Sequence, residues 1–254
     1  MTLRRIDYNQ VQHQTYADGR RMPPETLARW MARFAAHLPA ARPLTIIDLG
    51  SGVGRLTPAL ADTFGGPVFG VEPAAAMRAI AEASATHPAV QYLEGEAAGI
   101  PLPDQSADAV LMFLSLHHVP DRIAAAREIA RVLKPGGRVL IRTALSDRMG
   151  EIWWHQFFDR ARDIEMAMFP TLGQVTADFA SAGLRLLTLE RVAEAYGGSE
   201  AEAAEKLKLR ATSVFEHMSE AEIARGFARL DAWLATADTR TEARPIEGDL
   251  LVLG

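Results

Sequence analysis

Gly50, Gly52 and Gly54 follow the apolar run Leu44 to Leu49 at two-residue spacing, and they are the residues of this chain best suited to bring backbone against a ligand. Without a Cβ, glycine lets the chain bend sharply, and open α/β folds bind ligands at such bends beyond the carboxyl ends of strands. The spacing excludes two nucleotide classes. A dinucleotide fingerprint needs G-x-G-x-x-G/A, but its last place falls on Arg55 counted from Gly50 and on Thr57 counted from Gly52. No G-x-x-x-x-G-K-[ST] loop for a nucleoside triphosphate is present. A second chemical candidate is Ser115-Leu116-His117-His118, just past another apolar run. An imidazole with a pKa of about 6.5 accepts a proton at neutral pH, so His117 and then His118 are the candidate bases. The alternative is that both are polar loop groups. The chain has no cysteine, which removes thiolate catalysis and thiolate-bound zinc. Adjacent histidines do not converge on one ion without further ligands, so no metal site is expected.

These residues need elements to hold them. Leu27, Trp30, Met31, Phe34 and Leu38 share one helical face after the helix entry Pro23-Pro24-Glu25. Leu44 to Leu49 reads as a buried strand, followed by helix 55–64, strand 68–71, helix 74–86, strand 90–94, strand 109–114, helix 121–133 and strand 138–143. That alternation implies right-handed βαβ units and a parallel sheet. Lys134-Pro135-Gly136-Gly137 stops a helix and turns tightly. The rhythm lapses at 149–169, an aromatic-rich helical insertion with Trp153, Trp154, Phe157, Phe158 and Phe169. It resumes with helix 172–182 and strand 184–192, and continues with helices at 200–218 and 220–237 and a last strand at 250–253.

Composition is that of a globular domain, with 48% hydrophobic and 23% charged residues. Lys plus Arg number 27 against 32 Asp plus Glu, so the basic excess that drives nucleic-acid binding is missing. No 18 apolar residues run together and the first ten are not a signal peptide; a cytoplasmic protein without membrane partners is expected.

Asp48-Leu49-Gly50-Ser51-Gly52-Val53-Gly54 resembles the D-[LV]-G-x-G-x-G first motif of class I methyltransferases, with Glu72 at their second-strand acid. Leu93-Glu94-Gly95-Glu96-Ala97 resembles the adenine-contacting stretch, Asp104 to Leu114 the approach to the fourth strand, and Leu133-Lys134-Pro135-Gly136-Gly137 the L-x-P-G-G turn. The resemblance covers about residues 44 to 145 and is strongest to the Methyltransferase-11-like small-molecule enzymes. It implies a doubly wound α/β fold: a mostly parallel, seven-stranded Rossmann-like sheet with an antiparallel last strand and a helical lid. The cofactor implied is S-adenosylmethionine, with S-adenosylhomocysteine as product. Gly50, Ser51 and Gly52 would approach it with backbone, and Glu72 would accept from both ribose hydroxyls. Pro73 and Met77 would flank the adenine, Glu96 would accept from its amino group in place of the commoner aspartate, and Ala97 would offer it a backbone N–H. Leu114 would turn its carbonyl to the methyl group. Asp48 would support the glycine turn. Tyr16 would face the sulfonium, and Arg20 or Arg21 would pair with the methionine carboxylate.

The expected organisation is a cap at 1–43, a cofactor-binding core at 44–145, a lid insertion at 146–171, and at 172–254 the rest of the sheet with a helical insertion near 199–238. The insertions would roof an apolar pocket for a small aromatic or lipophilic acceptor, methylated on O, N or C. Glu165 and His155 are polar handles within that roof. The competing reading is a protein that binds S-adenosylmethionine without transferring methyl. Helices outside the core leave a homodimer open.

Overall fold

The computed structural model describes residues 6–9, 18–195, 197–236 and 244–254. Seven strands form one sheet: β1 (Leu44–Leu49), β2 (Gly65–Val71), β3 (Val90–Leu93), β4 (Ala107–Phe113), β5 (Leu133–Thr143), β6 (Leu186–Glu194) and β7 (Ile246–Leu253). Their order is β3-β2-β1-β4-β5-β7-β6, parallel from β3 through β5, with β7 antiparallel to both β5 and β6. The order reverses at β1 and β4, and the crevice beyond their carboxyl ends is where a doubly wound sheet takes its ligand.

Period-two alternation sends neighbouring residues to opposite layers. Ile46 and Leu111 face α1 (Pro24–Ala36) and α2 (Thr57–Phe64), where Trp30, Phe34, Leu60 and Phe64 are fully or almost fully buried. Ile47, Val110 and Met112 face α4 (Arg122–Val132) and α6 (Leu172–Ala180), packing on Ile129, Val175 and Phe179. Between these lie α3 (Ala75–Ser84), which follows β2, and α5 (Ala161–Met168). Two of these helices begin on side-chain caps: Asp121 accepts from the Ala124 N–H, and Thr171 and Gln174 form a capping box.

The lid differs from the sequence expectation in form. Residues 149–169 are not one helical stretch but a short 3-10 turn, Trp153–Phe157, followed by α5. The helix expected over 200–218 stops at Lys208 as α7 (Glu200–Lys208), because Arg210 takes a left-handed φ of 55° and a separate turn forms at Ser213–His217. That break is tertiary in origin. The Arg20 Nε donates to the Ala211 carbonyl at 2.9 Å, and Ala211 packs so tightly on Gly19 that a Cβ there would lie 2.5 Å away. Helix α8 (Glu220–Leu234) completes the lid. Trp154, Phe157, Phe158 and Ile164 from the first insertion bury against Leu207, Val214, Phe215, Ile223 and Leu230 from the second, giving the lid a core of its own.

Candidate active site

The first site is a cavity of about 980 Å³ at the carboxyl ends of β1, β2 and β4. Gly50, Gly52 and Gly54 adopt φ values of 76°, 57° and 74°, a region open to glycine, and the turn is pinned by the Gly50 and Ser51 N–H groups donating to the Val71 carbonyl at 2.8 and 3.2 Å. Asp48, 2% exposed, accepts from the Thr57 hydroxyl at 2.7 Å and so ties the end of β1 to the start of α2. Its support of the loop runs through that side-chain bond. Burial pushes its carboxyl up to about 6, against the opposing hydrogen bond from Thr57.

Glu72 lies just past β2 and is 8% exposed. One carboxylate oxygen accepts from Gly52 N–H at 2.9 Å and the other from Ala74 N–H at 2.8 Å, so Glu72 clamps the glycine loop to the entry of α3. Burial raises its pKa; the two backbone N–H groups oppose the rise. A carboxylate has about four lone-pair sites, so each oxygen keeps capacity for a ligand hydroxyl. Gly50, Gly52, Glu72, Pro73, Met77, Glu96, Ala97, Leu114, His117 and His118 all line this one cavity. The Ser51 side chain does not. It is buried behind the loop, its Oγ without a hydrogen-bond partner among the described residues. Arg21 is exposed, pairs with Asp18 at 2.7 Å in an i,i+3 contact, and is not among the residues lining this cavity. Tyr16 lies outside the described residues.

A second chamber, about 240 Å³, lies under the lid. Leu114, His117 and Met168 line both spaces. Leu114 holds a φ of 57°, rare for a branched side chain, at this seam. The His117 ring sits 3.9 Å from that of His118 and 4.5 Å from that of Phe169, centroid to centroid. Its pKa is well below the usual histidine value, first through burial and then through His118, Arg20 and Arg142, so the ring is neutral at pH 7. Its Nδ1 has no partner among the described residues.

Sequence reasoning missed Tyr8 and Ser213. The Tyr8 hydroxyl is 2.9 Å from His118 Nε2 and 2.9 Å from Ser213 Oγ, joining an amino-terminal segment, the loop after β4 and the lid. Tyr8 lines the first cavity and Ser213 the second. No local pattern marks either residue, since partners 110 and 205 positions away meet only in the folded chain.

Residues 47–141 match the family described as "Methyltransferase domain" (Methyltransf_11). That stretch is a methyltransferase domain, and the sheet around it has the class I methyltransferase topology. The match falls on β1 through β5, whose carboxyl-end loops supply most of the first cavity's lining; the segment around Tyr8, Met168 of α5 and His217 complete it from outside the match. The demethylmenaquinone methyltransferase of Bacillus licheniformis is 32% identical to it over 115 residues, which are 44% of this chain and 50% of that one. The chain spans about half the length of the curated relatives it matches. Among solved structures, a protein of Anabaena variabilis provisionally assigned as a methyltransferase from an antibiotic biosynthesis pathway superimposes with a TM-score of 0.75 at 22% identity, covering 93% of this chain and 99% of that one. The [4+2]-cyclase SpnF gives 0.63 at 20% identity, over 93% and 84%. At 93% coverage of this chain, both likenesses in fold take in the lid as well as the sheet. No described helix is long and apolar enough to cross a membrane.

Proposed function

We propose that this chain transfers a methyl group from S-adenosylmethionine, held in the first cavity, to a small molecule held under the lid. The observation that carries this reading is the seam, where Leu114, His117 and Met168 face both spaces. The first cavity fits the cofactor through its positive-φ glycines and the buried, doubly anchored carboxylate of Glu72. Gly50, Gly52, Glu72, Pro73, Met77, Glu96, Ala97 and Leu114 would hold it. When bound, the cofactor supplies an electrophilic methyl on a sulfonium. The protein's tasks are to align the acceptor with it and to keep water out.

For the acceptor's proton, His117 and His118 take different roles. His117 is neutral at the seam and orients the acceptor, while its depressed pKa makes it a weak base. The Tyr8 hydroxyl links His118 Nε2 to Ser213 Oγ in the acceptor chamber. A proton leaving the acceptor passes to Ser213, from Ser213 to Tyr8, and from Tyr8 to His118. Ile152, Trp153, Trp154, Met168 and Phe169 in the chamber wall support an acceptor with an aromatic or lipophilic part.

Calorimetry with S-adenosylhomocysteine should show binding that Glu72→Gln weakens by about ten- to a hundredfold, since the ribose loses a charged acceptor. Folded protein that binds neither S-adenosylmethionine nor its demethylated product would end this reading. Acceptors screened with labelled cofactor should yield methylated product together with S-adenosylhomocysteine. Turnover of a small molecule without loss of the methyl would instead favour the non-transferring alternative, whose relevance is raised by the cyclase among the fold's neighbours. His118→Ala and Tyr8→Phe should each slow transfer to a protonated acceptor by about a hundredfold or more. Full rates in both would remove the relay and leave the methyltransferase reading standing.

A further inference from the structure

Resting on that reading, we infer that the chamber under the lid selects an acceptor bearing an amino group, which Glu165 holds. Glu165 is on α5, 7% exposed, and lines the chamber. One of its oxygens, Oε2, lies 3.0 Å from His155 Nε2, with both side chains 9% exposed. With the Nε2–H donating to Glu165, His155 Nδ1 is left buried without a hydrogen-bond partner among the described residues. The ring thus fixes the carboxylate's direction. The other oxygen, Oε1, accepts no hydrogen bond among the described residues, and unlike His155 Nδ1 it is not sealed from the surroundings. Because Glu165 lines the chamber, this is the oxygen left to meet a ligand there.

Of the remaining charges of the chamber, Arg20 donates to the Ala211 carbonyl at 2.9 Å and Lys206 to the Arg21 carbonyl at 3.3 Å. Asp249 pairs with Arg148 at 3.1 Å and with Arg191 at 3.8 Å, and Glu247 pairs with Arg191 at 3.0 Å. Arg142 forms a buried two-bond pair with Glu194 at 2.6 and 2.5 Å. Glu151 is exposed. Among the described residues, Glu165 is therefore the buried chamber carboxylate without an arginine or lysine in its ion pair.

Its place on the helix sets it beside the chemistry. Glu165, Met168 and Phe169 stand at i, i+3 and i+4, one face of one turn. Met168 lines both cavities and the Phe169 ring contacts that of His117. A carboxylate one turn from the seam, next to the aromatic faces of Trp154 and Phe169 in the same wall, attracts an ammonium or N–H group and repels an acid. Fixing the nitrogen there would set the acceptor's register against the cofactor.

The test uses the whole chain loaded with S-adenosylhomocysteine and probe pairs of matched shape, benzylamine with benzoate and phenethylamine with 3-phenylpropanoate. Binding is read by saturation-transfer and titration NMR. The amines should bind at least about tenfold tighter than the acids, and Glu165→Gln should erase the preference while leaving S-adenosylhomocysteine affinity within about twofold. Glu165→Asp, which keeps the charge, should retain part of it. Acids binding as well as amines, an undiminished preference in Glu165→Gln, or no probe binding to loaded protein would each overturn the inference. If Glu165→Gln fails to fold, the amine-to-acid ratio of the wild-type chain decides alone. Loss of S-adenosylhomocysteine binding in the wild type would indict the parent reading instead, and the same titration reports it.

Discussion

Asp48 illustrates what burial does to a single carboxyl group. Its pKa in the fold is about 6 against 3.8 for the free side chain, raised chiefly by desolvation. A raised acid is one the fold prefers neutral, so the stability it supports is complete below the unfolded value and is lost as pH climbs through 6. Asn at this position keeps an oxygen for the Thr57 hydroxyl and cannot ionise. The stability gap between Asp48→Asn and wild type should therefore grow from pH 4 to pH 7.5, reaching about 2 to 3 kcal/mol, since each pKa unit is worth about 1.4 kcal/mol. Denaturant melts at several pH values would measure it, and a constant gap would contradict the assignment. The charge sits next to the glycine loop, where Glu72 adds to the repulsion. Stability is thus spent where ligand binding needs a rigid turn.

The glycine loop shows how one element serves two masters. A Cβ on Gly50 would stand 2.5 Å from that of Ser115, whose hydroxyl donates to the Leu49 carbonyl at 2.8 Å. On Gly52 it would meet only the Met77 terminal methyl at 3.6 Å, inside the cavity. Both positions carry the cost of a left-handed φ for a residue with a side chain, about 1 to 2 kcal/mol. Gly50→Ala should add a clash and lower stability by about 3 kcal/mol or more, whereas Gly52→Ala should stay near the backbone cost yet weaken S-adenosylhomocysteine binding about tenfold or more. Thermal melts and calorimetry on the pair separate the roles. Equal losses in both variants would show that the loop acts as one rigid piece.

Across the molecule, two cores meet at the seam. The sheet with its two helical layers forms the larger one, and the lid closes over it with a separate cluster centred on Phe158, Phe215 and Leu230. Phe158 packs so closely on Gly226 that no side chain fits there. Phe215→Ala should cost about 3 to 5 kcal/mol within the lid. Hydrogen exchange should then rise across α7, the Ser213–His217 turn and α8 while β4 stays protected. Uniform loss of protection would mean that lid and sheet unfold as one unit. Of the first insertion's aromatics, Trp154, Phe157 and Phe158 are buried in this cluster, and Trp153, Trp154 and Phe169 line the chamber under the lid.

The β/α alternation and the glycine turn were legible in the chain because each is written locally, in periodicity and in a contiguous motif; Glu72 and the antiparallel close of the sheet were implied by the resemblance to class I methyltransferases. The resemblance placed Pro73, Met77, Glu96, Ala97 and Leu114, and local position placed His117 and His118, at one sheet edge, where the structure finds them lining one cavity. Arg21 was misplaced because an i,i+3 partner, Asp18, competes for it at the surface. Tyr8 with Ser213, the break at Arg210, the shared core of two insertions and the open oxygen of Glu165 had no local signature. They depend on groups far apart in sequence that meet only when hydrophobic burial closes the lid over the sheet, so only the tertiary structure decided them.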